Sequence, residues 1–357
     1  MSKFIRALTR ESVIYPLAAI LLGLIFGAII MLIGGYNPVI AYKSLVIQVF
    51  GSSYDIGETI RAVTPLILTG LSVAFAFRSG LFNIGAEGQF MIGMTVATWV
   101  GIQWDLPIVV HALVAMILGG IAAGLWGAIA GYLKAKRGVN EVITTIMLNW
   151  TALYLSNYII GFMLEKGQQR TTYLPESAWI TSPWFASLFG NSRIHLGIFI
   201  ALIGALVFYI ILWKTKQGYE LRAVGHNADA AEYAGMNVGR NIVKAMFISG
   251  IFAGLAGTFE VLGVFHYQTI AASSLGYGFD GIAVSLLGMN NPLGVVLAAA
   301  LFGSLSYGAA GMSFGADVPP EIIRIVIGSI IFFVAAQGIV RWLLIPFYAK
   351  RKKEKVL

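Results

Sequence analysis

Long runs of apolar residues, separated by short polar segments, fill almost the whole sequence. A run of about 20 apolar residues is long enough to cross the hydrocarbon core of a bilayer as a helix. The pattern therefore predicts an all-α membrane protein with about ten transmembrane helices in a single domain, residues 1–357. A short interfacial helix is also expected at Ala41–Phe50. The predicted spans are residues 13–33, 62–77, 84–103, 108–133, 142–164, 195–213, 243–265, 271–289, 292–311 and 322–345.

The composition fits a membrane protein better than a water-soluble one. Apolar residues make up 58% of the chain and charged residues 11%, whereas a soluble domain carries about 25% charged residues. The mean hydropathy is +0.82. The sequence contains no cysteine, which excludes disulfides, zinc thiolate sites and thiol nucleophiles. We expect neither a metal nor a cofactor.

The basic residues indicate how the chain is oriented. The net charge of +8 does not indicate nucleic-acid binding, because these residues form short clusters between apolar runs instead of one basic face. Cytoplasmic loops of membrane proteins carry an excess of Lys and Arg. Ten crossings place all the main clusters on one side, so we expect a multi-pass protein of the cell membrane with both termini in the cytoplasm. The clusters are Lys134, Lys136 and Arg137, then Lys214 and Lys216, and finally Lys350, Arg351, Lys352, Lys353 and Lys355.

Two segments of the sequence suggest an internal repeat. Phe82–Met94 reads FNIGAEGQFMIGM, and Tyr277–Met289 reads YGFDGIAVSLLGM. Both are rich in glycine, carry one acid and end in Gly-Met. The repeats would cover about residues 62–164 and 243–345, in opposite orientations. Inverted repeats with broken helices are typical of transporters, although a chance similarity between apolar segments remains an alternative.

Acidic residues at or within the predicted spans allow two interpretations. A charge in hydrocarbon costs several kcal/mol, so Glu87, Glu141, Glu260 and Asp280 should face a cavity, pair or be protonated. They would then line a polar translocation path. Alternatively they cap helices, with Glu141 at the start of the helix after Asn140 and Glu87 bonding the broken backbone beside it.

The candidates for the substrate path are mostly neutral amides and aromatic residues. Such side chains suit an uncharged polar ligand with an aromatic base. The full set is Asn83, Glu87, Gln89, Asn140, Glu141, Asn149, Trp150, Phe279 and Asp280.

Motifs for enzymatic chemistry are missing from the sequence. Gly276–Gly281 fits G-x-G-x-x-G, but no strand precedes it, so a helix break explains it better than a dinucleotide site. The sequence has no Gly-Lys-Ser/Thr phosphate loop, so the chain does not hydrolyse ATP by that route. The four histidines have no serine or metal partner at a useful spacing. We therefore expect no catalytic residues.

The longest cytoplasmic loop, residues 214–241, is polar and divided by turn residues. A short helix is expected at Asp229–Ala234, with Asp229 at its N-terminal end. Turns are expected at Gly218, Gly225, Asn227, Gly235 and Gly239. A rigid segment of this kind can transmit force to a protein that docks from the cytosol.

Several stretches resemble the permeases of ABC importers for branched-chain amino acids, ribose and nucleosides. They are Glu220–Met236, Gly80–Gln89 and Gly278–Val284. The resemblance extends over about residues 60–345. Val139–Trp150 is most similar to the nucleoside branch, the bacterial lipoprotein-dependent importers of purine nucleosides.

The resemblance implies a function and a set of partners. The chain would be the membrane-spanning permease subunit and form the path for a purine nucleoside, driven by cytosolic ATP-binding subunits. A second related permease, an extracellular substrate-binding lipoprotein and membrane lipid would be its other partners. Residues 214–241 would be the coupling loop, in which the small Ala230 and Ala231 suit a tight groove. The coupling residues would be Glu220, Arg222, Gly225, Asn227, Asp229, Ala230, Ala231 and Gly235.

Two other functions remain open. An ion-coupled secondary transporter also uses inverted repeats and intramembrane acids, but it needs no cytosolic motor and gives the loop 214–241 no role. An ABC permease for ribose or a branched-chain amino acid would share the same architecture.

Overall fold

A computed structural model describes residues 11–336, including the side chains of residues 18–333 and 336. Within this range the backbone is almost wholly helical, and its only β-type pairings are isolated bridges. The α-helices are α1 (Glu11–Ile33), α2 (Pro38–Phe50), α3 (Ser53–Arg78), α4 (Ala86–Gln103), α5 (Val110–Arg137), α6 (Glu141–Gly161), α7 (Pro183–Leu188), α8 (Gly197–Lys214), α9 (Lys216–His226), α10 (Ala228–Tyr233), α11 (Val238–Glu260), α12 (Tyr277–Leu287), α13 (Pro292–Ala316) and α14 (Pro320–Ala335).

Five of these helices are long and apolar enough to cross a bilayer, namely α3, α5, α8, α13, and α11 with the turn that follows it. The expected all-α membrane protein is confirmed at this level. The predicted span 271–289 contains only α12, whose eleven residues extend about 16 Å. That is roughly half the hydrocarbon thickness of about 30 Å. The end of the last predicted span and the C-terminal basic cluster lie outside the described residues.

The described residues form two compact units, which are treated separately: residues 52–304, and residues 11–51 with 305–336. In the first unit, α11 packs along α3, α4 and α5. Glycines let these helices approach closely, as is common for helices in lipid. A Cβ atom on Gly250 would lie only 2.9 Å from the Cα of Gly124.

Helix α3 of this unit contains a long stretch that is buried on all sides. It begins at Ser52, whose Oγ accepts a hydrogen bond from Asp55 N (3.1 Å). Side chains from Val63 to Ala76 are buried continuously, including Pro65 inside the helix. An apolar helix that is buried all round lies within a bundle, so α3 is a central element against which the functional segments pack.

Helix α11 ends in an irregular turn, after which the helical backbone is interrupted. Residues Val261–Phe265 form a π-helical turn, and His266 then adopts a left-handed conformation with φ of 59°. Single π turns occur frequently at functional sites. The chain runs without a helix from His266 to Gly276, where φ is 93° and α12 begins.

The second unit contains α1, α2, α14 and the C-terminal part of α13. Helices α1 and α14 pack closely, and Ser329 Oγ donates to Gly23 O (3.2 Å). Helix α2 confirms the short helix expected at Ala41–Phe50 and begins three residues earlier. It is capped by Asn37, whose Oδ1 accepts from Val39 N (3.0 Å). Tyr42 then donates to Leu24 O (2.7 Å) and ties α2 to α1.

Candidate functional site

The first polar cluster lies at the break between α3 and α4. The buried Asn83 donates through Nδ2 to Gln89 Oε1 (2.8 Å) and to Ser249 Oγ (2.8 Å). Its Oδ1 accepts from Gly85 N (2.9 Å) and Gln89 Nε2 (3.2 Å). All four hydrogen-bonding positions of the Asn83 amide are therefore filled by the protein itself.

Helix α6 holds the same break from the other side. Asn149 Oδ1 accepts from Gly88 N (2.8 Å), and Asn149 Nδ2 donates to Ile84 O (3.0 Å). The sequence-predicted Asn83, Gln89 and Asn149 thus come together around one stretch of non-helical backbone. Irregular backbone at membrane depth is tolerated where its polar groups are satisfied within the protein, and these amides satisfy it.

Glu87 joins the two segments that resemble each other in sequence. Its Oε1 accepts from Gly276 N (2.7 Å) and its Oε2 from Gly278 N (2.6 Å). These N–H groups lie at the start of α12, where a helix provides no acceptor of its own. A Cβ atom on Gly278 would overlap the backbone of Glu87. The capping interpretation expected Glu87 to bond the broken backbone beside it. Glu87 does bond broken backbone, but this backbone belongs to the other segment, at the start of α12.

Glu141 does not have the capping role that the sequence suggested. Asn140 caps α6 itself, since its Oδ1 accepts from Val142 N (2.8 Å). Glu141 Oε2 instead pairs with Lys134 Nζ at 2.5 Å. Lys134, at the end of the preceding helix, provides a charged partner for Glu141. The shorter Asn140 side chain reaches the first N–H groups of α6 more directly.

The remaining path candidates lie near the outside of this single chain. Trp150 is 54% exposed and stacks on Tyr154, with ring centroids 6.5 Å apart. Phe279 is exposed, and Asp280 is half-buried in the first turn of α12. A role of these three residues in a substrate path stays a prediction.

A cavity of about 280 Å³ lies where α11 ends and the non-helical segment begins. Apolar and aromatic residues converge here with the polar side chains of Glu260, Gln268 and Thr269. The lining residues are Met94, Glu260, Phe265, Tyr267, Gln268, Thr269, Ala271, Leu275 and Tyr277. Concave sites lined mainly by apolar and aromatic groups, with a few placed polar groups, are the usual form of small-molecule sites.

Glu260 is the acidic group of this cavity. Its side chain is buried, and Oε1 accepts a hydrogen bond from Tyr277 Oη (2.6 Å). Arg61 Nη1 lies 3.9 Å from the same oxygen. The other oxygen, Oε2, accepts no hydrogen bond from the residues that the structure describes.

A row of alternating charges leads from Glu260 towards the surface. Arg61 Nε donates to Glu58 Oε2 (2.8 Å). Arg193 donates to the same carboxylate through Nη2 (2.8 Å) and through its backbone N–H (2.8 Å). These hydrogen bonds raise the pKa of the Arg193 guanidinium above its ordinary value. The side chain of Arg193 is half exposed, so the row ends in contact with solvent.

Gln268 fixes the non-helical segment that forms one wall of the cavity. Its Nε2 donates to Thr95 Oγ1 (3.0 Å) and Ser156 Oγ (2.9 Å), and its Oε1 accepts from Thr98 Oγ1 (3.0 Å). Gln268 is buried, and α4 and α6 fill three of the four hydrogen-bonding positions of its amide. It therefore shapes the wall and leaves little capacity for a ligand.

The segment after α6 and the side chain of Asn157 fasten the same wall. Leu174 N donates to His266 O (2.8 Å), and His266 stacks on Trp179 with ring centroids 3.9 Å apart. Burial lowers the pKa of the His266 imidazole to about 4. Further along, Asn157 Nδ2 donates to Ala271 O (2.8 Å) and Ala271 N returns a bond to Asn157 Oδ1 (3.0 Å).

Sequence reasoning identified Glu260 as an intramembrane acid but did not select it as a site residue. It also missed Tyr277, Gln268 and Tyr267. One signal was available, because the polar residues after Phe265 interrupt an apolar run directly behind a buried acid. The contact between Glu260 and Tyr277 was not readable, because it depends on how the chain returns after the break.

Residues 214–241 contain two short helices, α9 and α10, where one was expected. The expected turns at Gly218 and Gly225 are wrong, because both glycines lie within α9. Asn227 caps α10 by accepting from Ala230 N (2.9 Å). The expected cap, Asp229, lies in the first turn instead, since Asn227 is the last extended residue before the helix.

The two small residues of α10 differ in exposure. Ala230 is exposed, whereas Ala231 is 3% exposed and packs against the protein's own helices, so it is not available to a partner's groove. Tyr233, which the sequence did not select, is 97% exposed. Gly235 ends the segment with φ of 81°, a conformation that favours glycine.

Helix α9 packs against the C-terminal end of α3. A Cβ atom on Gly225 would lie 2.7 Å from Gly80 N, so the two backbones touch. Arg222 donates through Nε to Leu212 O (3.0 Å), and its guanidinium lies over the Trp213 ring. The guanidinium of Arg78 also lies over the Trp213 ring, and Arg78 Nε donates to Asn290 O (2.8 Å).

Two polar residues of α9 face α11. Asn241 Nδ2 donates to Glu220 Oε2 (3.3 Å), and Gln217 Nε2 donates to Asn241 Oδ1 (2.6 Å). Helix α9 is thus bonded to α11, the helix that carries Glu260 at its other end. No cluster of three metal-ligating side chains occurs within the described range.

Comparison with known proteins identifies the family. A family model described as "Branched-chain amino acid transport system / permease component" matches residues 56–335, most of the chain. The chain belongs to this family of permeases. The matched range includes both helix breaks of the permease, the cavity and residues 214–241. No solved structure matched the chain.

Three named relatives carry further information about the permease. The guanosine ABC transporter permease protein NupP of Bacillus subtilis is 50% identical over 92% of this chain and 94% of its own. The nucleoside ABC transporter permease protein NupB of Lactococcus lactis is 40% identical over 94% of each chain. The guanosine ABC transporter permease protein NupQ of Bacillus subtilis is 28% identical over 75% of this chain and 86% of its own.

Proposed function

We propose that this permease forms the membrane path of an ABC importer for a purine nucleoside. The observation that carries the proposal is the 50% identity, over almost the full length of both chains, to a guanosine permease. The cavity beside α11 adds support, because its mixture of aromatic and polar lining suits an uncharged ligand with a flat ring.

The proposed importer contains several subunits. A chain without a phosphate-binding loop needs ATPase partners, and a substrate-binding lipoprotein would deliver the nucleoside. NupP and NupQ, both named guanosine permeases of one organism, are each similar to this chain, which supports a second, related permease as partner. In this assignment the chain is a transport subunit and ATP hydrolysis takes place on other chains.

The proposed topology has ten crossings with both termini in the cytoplasm and two inverted repeats. Five long apolar helices and several shorter ones support a multi-pass arrangement. The Lys and Arg clusters support the orientation. In this arrangement the path runs from the cavity at Glu260 past the junction of α4 and α12, where Glu87 bonds the first turn of α12.

The cytoplasmic helices would couple the permease to its ATPase. Tyr233 is almost fully exposed at the end of α10, and exposed aromatic residues are frequent anchors of protein interfaces. Movement of α9 would reach α3 through the contact between Gly225 and Gly80 and reach the end of α12 through Arg78. Rigid contacts of this kind transmit displacement because packed backbones cannot compress.

Replacing Tyr233 with alanine tests this function. We expect the variant to insert and to retain its partner permease, but to lose about 2 kcal/mol of ATPase binding or more, as interface anchors do. Co-purification of the ATPase and ATP-dependent uptake of radiolabelled guanosine in vesicles should fall together. Trp184→Ala, which removes an equally bulky exposed aromatic residue from the segment before α8, is the control and should keep the ATPase.

Two results would reject the proposal at different levels. Guanosine uptake by the wild-type protein that follows an ion gradient and ignores ATP would favour the secondary transporter. ATP-driven uptake that is unchanged in Tyr233→Ala would reject the docking role of α10 and leave the importer assignment in place.

A further inference from the structure

The two carboxylate oxygens of Glu260 differ in their hydrogen bonding. Glu260 is 1% exposed and lines the cavity. Tyr277 and Arg61 both approach Oε1, whereas Oε2 has no hydrogen-bond partner in the described part of the chain. Buried polar atoms in native proteins are nearly always hydrogen-bonded, and each exception calls for an explanation.

Two buried polar side chains of the neighbouring segments have their hydrogen-bonding positions filled by the protein itself. Asn83 fills all four positions of its amide, and both oxygens of Glu87 accept backbone N–H groups. Six buried side-chain atoms of the described residues have no hydrogen-bond partner, and Glu260 Oε2 is the one among them whose residue lines this cavity. The missing group is a hydrogen-bond donor, because a carboxylate oxygen accepts and does not donate.

The surroundings restrict which donor fits. Arg61 already lies 3.9 Å from the carboxyl group of Glu260, so a cationic ligand would bring a second positive charge to it. A neutral N–H group does not. Phe265, Tyr267 and Tyr277 line the cavity with aromatic rings, against which a flat heterocycle can stack. The cavity volume of about 280 Å³ is just below the usual range for ligand sites, about 300–1,000 Å³, and so suits a small ligand.

We infer that Glu260 Oε2 accepts a hydrogen bond from the ring N–H of a 6-oxopurine nucleoside, and so makes the permease itself selective for guanosine and inosine over adenosine. This inference rests on the proposed function. A 6-oxopurine carries a hydrogen on ring nitrogen N1, whereas adenine has an unprotonated acceptor there. Adenosine would therefore place two acceptors against each other and leave Glu260 unpaired.

The variant Glu260→Gln replaces one hydrogen-bond acceptor of the side chain by a donor and keeps the shape of the side chain almost constant. An amide has one acceptor oxygen, and the Tyr277 hydroxyl and Arg61 claim the Oε1 position. The NH₂ group then points into the cavity and provides a donor, which suits the N1 acceptor of adenosine. The preference should shift from guanosine towards adenosine.

Equilibrium binding of radiolabelled nucleosides tests the inference directly. The full-length permease, purified in nanodiscs with the subunits that accompany it and without any soluble binding protein, is titrated with guanosine, adenosine and 1-methylguanosine. The last ligand lacks the N1 hydrogen and so probes the bond without changing the protein. In the wild type we expect guanosine to bind at least about tenfold more tightly than either analogue, the value of a hydrogen bond to a charged group.

In Glu260→Gln both ratios should fall to about one or reverse. Glu165→Gln is the matched control, because Glu165 also pairs with an arginine, Arg170 (3.3 Å), but does not line the cavity. It should keep the wild-type ratios. A parallel assay of ATP-driven guanosine uptake by the complete importer tests the proposed function independently.

The possible results separate failure of the inference from failure of the proposed function. Equal discrimination against 1-methylguanosine in the wild type and in Glu260→Gln would mean that shape, not the carboxylate, excludes it, and would overturn the inference. Uptake of guanosine without measurable binding to the permease would also overturn it, while the proposed function stands. Absence of nucleoside uptake by the wild type would reject the proposed function itself.

Discussion

The two helix breaks of this permease look alike in sequence and differ in how their polar groups are used. The break before α4 is closed, because Asn83 and Gln89 bond to each other and Asn149 bonds to the backbone of Ile84 and Gly88. The break after α11 is open. It borders a cavity of about 280 Å³ and leaves Glu260 Oε2 without a partner.

The difference separates a scaffold from a binding site. A fully satisfied polar network rigidifies a core, whereas an unfilled acceptor beside a cavity is available to a ligand. Glu87 links the two breaks, since it extends from α4 to the first turn of α12. The closed break therefore supports one border of the open one, and substitutions should affect stability on one side and binding on the other.

The largest effect is expected at Glu87. Glu87→Ala removes two charge-assisted hydrogen bonds and leaves the N–H groups of Gly276 and Gly278 buried without an acceptor. We expect a loss of about 3–6 kcal/mol in the free energy of unfolding, measured as loss of the monodisperse peak and of the thermal transition in detergent. Glu87→Gln keeps one acceptor oxygen and should lose about half as much.

A matched small change defines the background for this experiment. Gly161→Ala adds one methyl group where no atom lies within 4 Å, so its thermal transition should match the wild type. Normal stability of Glu87→Ala, together with reduced guanosine binding, would contradict the scaffold role and return Glu87 to the substrate path.

The second effect compares two asparagines, one at each break. Asn83→Ala leaves several buried groups unpaired and should cost about 2–4 kcal/mol of stability, with nucleoside affinity unchanged in the folded fraction. Asn157→Ala releases the wall of the cavity at Ala271. It should weaken nucleoside binding about two- to tenfold, the cost of ordering a freed segment, with a smaller loss of stability.

Thermal unfolding and equilibrium binding on the same two preparations measure both quantities. The comparison between the breaks is lost if Asn83→Ala changes affinity more than Asn157→Ala does. Asn83 would then belong to the substrate path that its sequence context suggested.

The smallest effect is expected at Tyr277. Tyr277→Phe keeps the ring in the cavity and removes the hydroxyl that donates to Glu260 Oε1 (2.6 Å). One hydrogen bond is worth about 1 kcal/mol of stability, and Arg61 remains beside the same oxygen. The thermal transition should fall slightly, while the preference for guanosine over adenosine persists because Oε2 is untouched. A reversed preference in this variant would show that the hydroxyl, and not the carboxylate, recognises the base.

The sequence by itself determined the class of the protein and much of its helical framework. Runs of apolar residues predicted both ends of α1 and α5, and the C-terminal end of α3, to within about four residues. They did so because the length of a helix in lipid depends on local hydrophobicity. The family resemblance in Gly80–Gln89 and Glu220–Met236 was also readable, since it rests on contiguous residues. Local patterns even located both helix breaks, through their glycines and acids.

Only the tertiary structure decided what the polar residues do. Asn83 bonds Ser249, and Glu87 bonds Gly278, across 166 and 191 positions of the chain. Ala231 and Ala230 are neighbours in sequence, but only Ala230 faces outward. A side chain is a scaffold when distant groups fill its hydrogen-bonding positions and a site when they do not. The sequence lists the donors and acceptors, but only the packing of distant helices pairs them, which is why Glu260 emerged as the centre of the cavity only in the folded chain.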